Sequence, residues 1–230
     1  ADRLREAIGP DHAPLRALAT LVGRVTSRPL LDGNSIEPLQ GGDEAYPAML
    51  AAIEQAERSI GMASYIFDND PTGREFADAL GRAVARGVQV RVLIDGIGST
   101  YSFPTITGLL AARGVRTERF LPTTVPIFFP YANLRNHRKL LVVDGQVGFT
   151  GGLNIRDGCW LAHQPRHPVR DLHFRLQGPI VAHLLEVFAE DWTFAAEETL
   201  TGPAWALDQR AVGPSLARGI RFGPDDPDIG

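Results

Sequence analysis

Cysteine and lysine are the two residues this chain nearly does without. A single cysteine, Cys159, excludes an internal disulfide and any metal site built on paired thiolates. A single lysine, Lys139, stands against 22 arginines, so its position asks for a compact, mobile ammonium rather than a planar guanidinium. No apolar run approaches the roughly 18–20 residues of a membrane span, and no secretory signal pattern is present. A soluble chain that sits peripherally on a membrane, or is secreted after processing, fits both absences. The net charge of −4 supplies no global positive field for nucleic acid or an anionic membrane surface. No internal repeat is visible. His12, His163, His167, His173 and His183 have no lysine two residues on, so an H-x-K pair occurs once.

What is present is an ordinary globular composition, 44% hydrophobic and 22% charged, long enough at 230 residues for one substantial α/β core. The charge balance reverses locally. Between Arg135 and Arg175 seven Arg/Lys stand against only Asp144, Asp157 and Asp171, with four His besides. That suits an anionic substrate at one face; a solvated basic loop has the same composition.

Residues 1–28 read as a helical lead-in, with Leu15, Leu18, Leu21, Val22 and Val25 at helical spacing and assigned to core packing. Pro29 to Asn34 reads as a turn and residues 36–39 as a short strand. Asp43 is placed as the N-cap of a helix running through Glu57, with Tyr46, Leu50 and Ile53 facing a sheet. Ser59 to Phe67 is expected as a buried strand. Thr72 and Glu75 are expected as a capping box opening a helix to Arg86, followed by a strand from Val88 to Asp95. The order helix–strand–helix–strand predicts an α/β fold, a largely parallel or mixed central sheet with helices on both faces. Gly96-Ile-Gly98-Ser-Thr100 is read as an ordinary βα loop. A short helix over 104–113 and a strand from Val115 to Phe120 follow. The Pro- and aromatic-rich segment Thr123 to Arg135 reads as a packed loop or a lipid-facing entrance. After an irregular loop from Arg156 to Pro168, Val169 to Leu176 is expected as a strand and Gly178-Pro179 as the start of a long helix.

The chemistry concentrates in Asn136 to Asn154, where the pattern is H-x-K-x4-D-x6-G-G-x-N. Strand alternation puts His137 and Lys139 on one face. Leu140 to Val143 suit a strand buried on both sides, and Asp144-Gly145 a tight turn into a returning strand from Val147 to Thr150. Gly151 and Gly152 are expected to leave backbone N–H groups bare for an anion. Such a set suits phosphoryl transfer, with His137 as nucleophile and Lys139, Asn154 and the glycine amides holding phosphate oxygens. A buried core histidine beside a snorkelling lysine is the plainer alternative; the long spacing and the solitary lysine weigh against it.

This stretch resembles the first HKD motif of the phospholipase D superfamily. Asn136-His-Arg-Lys with Phe149-Thr-Gly-Gly-Leu-Asn154 is most similar to its cardiolipin synthase branch. Asp32-Gly-Asn34, Tyr65-Ile66, Asp70, Gly73, Arg86-Gly-Val88, Asp95 to Ser99, Asp171, Gly178-Pro179 and Asp191-Trp192 extend the resemblance over about residues 30 to 195. The resemblance implies a phosphatidyltransferase or phospholipase D acting on phosphatidylglycerol-like diesters through a phosphohistidine at His137. It implies Lys139 and Asn154 as phosphate ligands, Asp171 as the carboxylate that orients the histidine, and no metal or other cofactor. Asp144 belongs to the same catalytic motif, where its place beside Gly145 suits ordering the motif rather than moving protons. The other readings are a phosphodiesterase on nucleic acid, disfavoured by the acidic net charge, and a silent half that binds phosphorylated ligands or a partner chain.

Sites of this family resemble a two-fold pairing of HKD motifs, and this chain has one. The tail Arg218-Gly-Ile-Arg-Phe-Gly-Pro-Asp-Asp-Pro227 is similar to the opening of a second half. The expected organisation is therefore a lead-in over 1–28, an HKD domain over 29–200 and a linker over 201–230. Its expected partners are a phospholipid, a membrane surface touched peripherally, and a second HKD-bearing half or a second copy of the chain.

Overall fold

A computed structural model describes residues 12–98, 103–121 and 136–220 of the chain. The expected readings of residues 1–11, of Ser99-Thr100, of the Thr123 to Arg135 segment and of the tail beyond Ile220 lie outside the described residues.

The elements are α1 (Ala13–Thr26), β1 (Leu31–Gln40), α2 (Gly41–Gln55), β2 (Ser59–Ser64), α3 (Pro71–Ala85), β3 (Gln89–Asp95) and α4 (Ile106–Ala112). They continue with β4 (Arg116–Phe120), β5 (Leu140–Val143), β6 (Val147–Gly151), β7 (Leu172–Gln177), α5 (Val181–Ala196) and β8 (Ser215–Ala217). Eight strands form one mixed sheet in the order β4-β3-β2-β5-β6-β7-β1-β8. Only β2, β3 and β4 run parallel; every pairing from β2–β5 outward to β1–β8 is antiparallel. The helical crossovers α3 and α4 account for the parallel part, because parallel neighbours need a long connection.

Period-two alternation in the central strands decides which layer each residue joins. Leu141 and Val143 of β5, with Ile60, Met62, Val92 and Ile94, pack against Met49 and Ile53 of α2, Phe76 and Leu80 of α3 and Leu110 of α4. Leu140 and Val142, with Ala63 and Leu93, pack on the opposite face against Val181, Leu185, Phe188 and Trp192 of α5, and against Trp205. Helices thus cover both faces, as the apolar run of β5 requires.

Several local expectations are corrected. Of the expected Pro29 to Asn34 turn, Leu31 to Asn34 belong to β1, whose pairing with β8 shifts register between Leu31 and Asn34. Asp43 lies inside α2 rather than capping it, and its carboxylate accepts from the Ala162 N–H at 2.8 Å; Glu44 accepts from the Gln40 N–H at 2.7 Å instead. In α3 the cap is Asp70, which accepts from the Gly73 N–H at 2.8 Å, while Thr72 donates to Asp157. Pro71 explains the shift, since proline takes the first helical position and the cap falls on the residue before it. β2 stops at Ser64 and β7 starts only at Leu172. Leu15, Leu18, Leu21 and Val25 of α1, expected in the core, are exposed, because α1 docks through the small residues Ala19 and Gly23 instead.

One buried side chain makes the fold sensitive to acid. His173 of β7 is 1% exposed, and neither ring nitrogen meets a hydrogen-bond partner among the described residues. Burial pushes its pKa down from 6.5 to about 4, with Asp171 opposing and Lys139 adding to the effect. The unfolded chain therefore takes up a proton that the folded chain refuses. The neutral ring's contribution is complete above the unfolded value of 6.5 and is lost as pH falls toward about 4. Between pH 7 and pH 4.5 this one group should remove about 2–3 kcal/mol. His173→Leu should flatten that part of the acid limb when urea midpoints are compared at the two pH values. Parallel losses in parent and variant would assign the acid sensitivity elsewhere.

Candidate active site

The motif lies across the sheet rather than along one face of it. Residues 136–139 precede β5 instead of belonging to it, so His137 and Lys139 are not strand residues as expected. The alternation nevertheless holds. Asn136 and Arg138 both reach Asp191 on α5, through Nδ2 at 2.8 Å and Nη1 at 2.5 and 2.7 Å. His137 and Lys139 both meet Tyr65, directly after β2: the imidazole centroid is 4.2 Å from the phenol ring and Nζ lies 5.4 Å from its centre.

Two buried carboxylates hold this run-in. Asp95, at the end of β3, accepts from the Asn136 N–H at 3.0 Å through one oxygen and from the Ile97 and Gly98 N–H groups through the other. Gly98 itself packs on the Tyr65 carbonyl, where an added Cβ would lie 1.5 Å from the oxygen. Gly98 of the G-x-G pair is thus a close-packing residue in a βα loop. Asp191, on α5, takes the side chains on either side of His137. The Arg138 N–H completes the frame by donating to Asn136 Oδ1 at 3.1 Å.

The electrostatics suit a nucleophile. Burial lowers the His137 pKa, the Lys139 ammonium lowers it further, and Asp95 opposes both, so the neutral ring dominates at pH 7. Lys139 is half-buried and its own pKa is lowered by burial, with Asp171 and Asp95 opposing. Its ammonium donates to the His137 carbonyl at 2.7 Å. A cavity of about 460 Å³ opens beside the pair, lined by His137, Lys139 and Gly151 and walled by Leu176, Leu184 and Val187.

The remaining expected site residues divide into near and far. Asp171 lies against Gly152, where an added Cβ would come within 2.1 Å of its carboxylate, and its charge acts on Lys139 and His173. The Gly152 N–H is not bare: it donates to the Leu172 carbonyl at 3.0 Å, and the glycines serve as floor space for Asp171 and His173. Asn154 is fixed through Oδ1, which accepts from the Ile66 N–H at 3.1 Å, one residue beyond Tyr65. Asp144 is not brought to His137. It lies at the opposite end of β5, about 17 Å along the strand from Lys139. There its carboxylate accepts from the backbone N–H groups of Glu57, Arg58 and Ser59 at 2.8–2.9 Å. Among the described residues no group of three His, Cys, Asp or Glu could hold a metal ion.

Tyr65, Asp95 and Asp191 had no role in the sequence reading, although all three lie in stretches that carry the resemblance. A strand-end Asp and an Asp on an apolar helix face were the available signals. The two ends of the motif should separate in mutants. Asp191→Asn should speed hydrogen exchange of the Asn136 and Arg138 amides about 10-fold or more, because the run on either side of His137 loses its anchor. Asp144→Ala should instead lower stability by about 2–3 kcal/mol, leaving three amides unpaired, and leave those exchange rates near the parent's relative to global unfolding. Unchanged exchange in Asp191→Asn would remove Asp191 as the anchor.

The family model described as cardiolipin synthase, PLD-like domain, matches residues 49–192. Among curated proteins, cardiolipin synthase A of Pseudomonas putida is 35% identical over 216 residues, covering 94% of this chain and 44% of its own length. Cardiolipin synthase 1 of Bacillus anthracis is 35% identical over 180 residues, covering 78% of this chain and 35% of its own length. The chain thus spans less than half the length of these relatives. Among solved structures, Nuc of Salmonella typhimurium, a phospholipase D family member, superposes with a TM-score of 0.55 at 21% identity, over 70% of this chain and 96% of that one. Phosphatidylserine synthase of Haemophilus influenzae gives 0.57 at 19% identity, over 76% of this chain and 40% of that one. With the sheet, the motif and the matched span in agreement, the chain belongs to the phospholipase D superfamily, in its cardiolipin synthase-like branch.

Proposed function

We propose that the chain supplies one half of a phosphatidyltransferase site acting on phosphatidylglycerol-like phosphodiesters. The observation that carries this reading is the pairing of a neutral His137 with the Lys139 ammonium on one aromatic ring beside the cavity. An imidazole nitrogen of His137 attacks phosphorus, the bond from phosphorus to the departing alcohol breaks, and that alcohol takes a proton from a general acid. A second alcohol, or water, then attacks the phosphohistidine, losing its proton to the same group and returning His137 neutral. Lys139 and the Asn154 amide stabilise charge on the phosphate oxygens. Asp171 is the carboxylate proposed to orient His137, and its charge is felt at the neighbouring Lys139.

This chain has one H-x-K, so the general acid comes from a second HKD-bearing half, in the same polypeptide or another, or from a second copy. On this reading residues 29–200 form the HKD domain, with Trp205 and β8 of the following segment packed onto it. Acid catalysis of this kind contributes about 10²–10⁴-fold.

With the second half present, His137→Ala should abolish turnover of phosphatidylglycerol while the protein stays folded, and in the parent the trapped phosphoryl adduct should map to His137. An adduct on the other motif's histidine would reverse the two roles. Single-stranded DNA cleaved in preference to phosphatidylglycerol would replace the substrate class. The pH profile gives a second check. The neutral ring is the active form, so rate falls as pH drops through the His137 pKa, which lies below 6.5. Lys139→Gln removes a charge that lowers this pKa, so the residual activity should decline at higher pH than in the parent. A shift in the opposite direction would separate Lys139 from the nucleophile.

A further inference from the structure

Among the described residues, helix α1 carries an apolar stripe that nothing covers. Leu15, Leu18, Leu21 and Val25 recur at intervals of three and four and are 49%, 54%, 58% and 44% exposed. The helix is attached by its other side. The Arg218 guanidinium donates to the Ala19 carbonyl at 2.9 Å and fills the space over Gly23, where an added Cβ would meet it at 3.0 Å. At 14 residues the helix is about 21 Å long, against a hydrocarbon core of about 30 Å, and no helix among the described residues is long and apolar enough to cross a membrane.

Its charge is one-signed. From His12 to Leu31 there is no Asp or Glu, in a chain whose net charge is −4, while α1 carries Arg16 and Arg24. Arg24 is exposed beside the stripe; Arg28, just beyond, is paired with Glu186 at 3.0 Å. A convex row of aliphatic side chains flanked by arginine needs no complementary groove, which suits a fluid interface better than a folded partner. The position of the helix points the same way. Arg218, its anchor, also lines the cavity that holds His137 and Lys139.

We propose that α1 is an interfacial helix that lies on an anionic phospholipid surface, its leucines among the acyl chains and Arg24 at the headgroups. Through Arg218 it holds the mouth of the cavity against the leaflet. The proposal deepens the reading of the substrate as a membrane-resident diester and rests on it for its biological sense; the binding itself is independent of catalysis.

The test is co-sedimentation of the chain with vesicles of equal parts phosphatidylglycerol and phosphatidylcholine, and with vesicles of phosphatidylcholine alone, at low and high salt. The chain should bind the mixed vesicles, less so at high salt, and bind phosphatidylcholine weakly. The double variant Leu18→Glu/Leu21→Glu should cut the partition coefficient about 10-fold or more. Arg24→Ala should cut it about 5-fold. Circular dichroism and light scattering confirm that each variant remains a folded monomer. Equal binding by parent and double variant overturns the proposal. So does a dimer that the double variant dissociates, or loss of vesicle binding once a second half is added, since the stripe is then a protein interface. The catalytic reading fails separately: with the second half present, vesicle binding without cleavage of a detergent-dispersed diester keeps the helix assignment and rejects the enzyme.

Discussion

Asp191 fixes the geometry of this site. It lies on the same helix as Phe188 and Trp192, whose burial drives α5 onto the sheet, so packing the helix also takes a carboxylate out of water. A buried charge left without a partner costs about 3–5 kcal/mol. Arg138 and Asn136 meet that demand, and their side chains can do so only if the chain between them is held straight. Hydrophobic packing of one element therefore dictates the backbone of another. His137, between the two anchored residues, is turned the other way, toward Tyr65 and the cavity. Asp95 acts in the same sense from the opposite side by taking the Asn136 N–H.

The spacing between Lys139 and Asp144 is the length of one buried strand. Leu140 to Val143 cross the sheet with alternate residues in the two cores. Beyond them Asp144 and Gly145 both take positive φ, 54° and 62°, in a turn closed by the Gln146 N–H on the Val143 carbonyl. The Asp144 carboxylate ties that turn to the three amides that open β2. Strand β5 is thus pinned at both ends, at Asp144 by hydrogen bonds and at Arg138 by an ion pair. A slip of one residue would exchange its two apolar faces, and would carry His137 to the side where Asp191 lies. The aspartate of the motif serves register, while its lysine and histidine face Tyr65 and the cavity, although all three belong to the same sequence pattern.

Much of this was legible in the sequence because local periodicity carries it. Strands β2 to β7, α3, the β5–β6 hairpin and the pairing of His137 with Lys139 depend on spacings of a few residues, whereas β8 falls in a segment expected as a linker. The failures have a common cause. The α3 cap moved from Thr72 to Asp70 because Pro71 took the first helical position. The Gly152 amide was expected to be bare, and a contact with Leu172, in a strand whose register the sequence does not state, occupies it. Asp95 and Asp191 reach Asn136 across 41 and 55 residues, and no local pattern marks such contacts. The stripe on α1 was read as core because helical periodicity reports an apolar face without saying what covers it.

The solitary lysine follows from the same frame. Arg138 shows what a guanidinium does here: its Nη1 is taken by both oxygens of Asp191, which ties the side chain to α5. The neighbouring position needs the opposite behaviour. Lys139 passes over the Tyr65 ring, returns its ammonium to the His137 carbonyl at 2.7 Å, and keeps further protons for an incoming oxygen. Burial already lowers its pKa, and the nearby charges of Asp171 and Asp95 keep the ammonium form in place. That same ammonium lowers the pKa of His137. A planar guanidinium on a longer stem would extend past the ring toward Asp171 and pair with it, as Arg138 does with Asp191. Two cations thus stand side by side, Arg138 tied to the carboxylate that places the histidine and Lys139 turned to the histidine's own carbonyl beside the cavity.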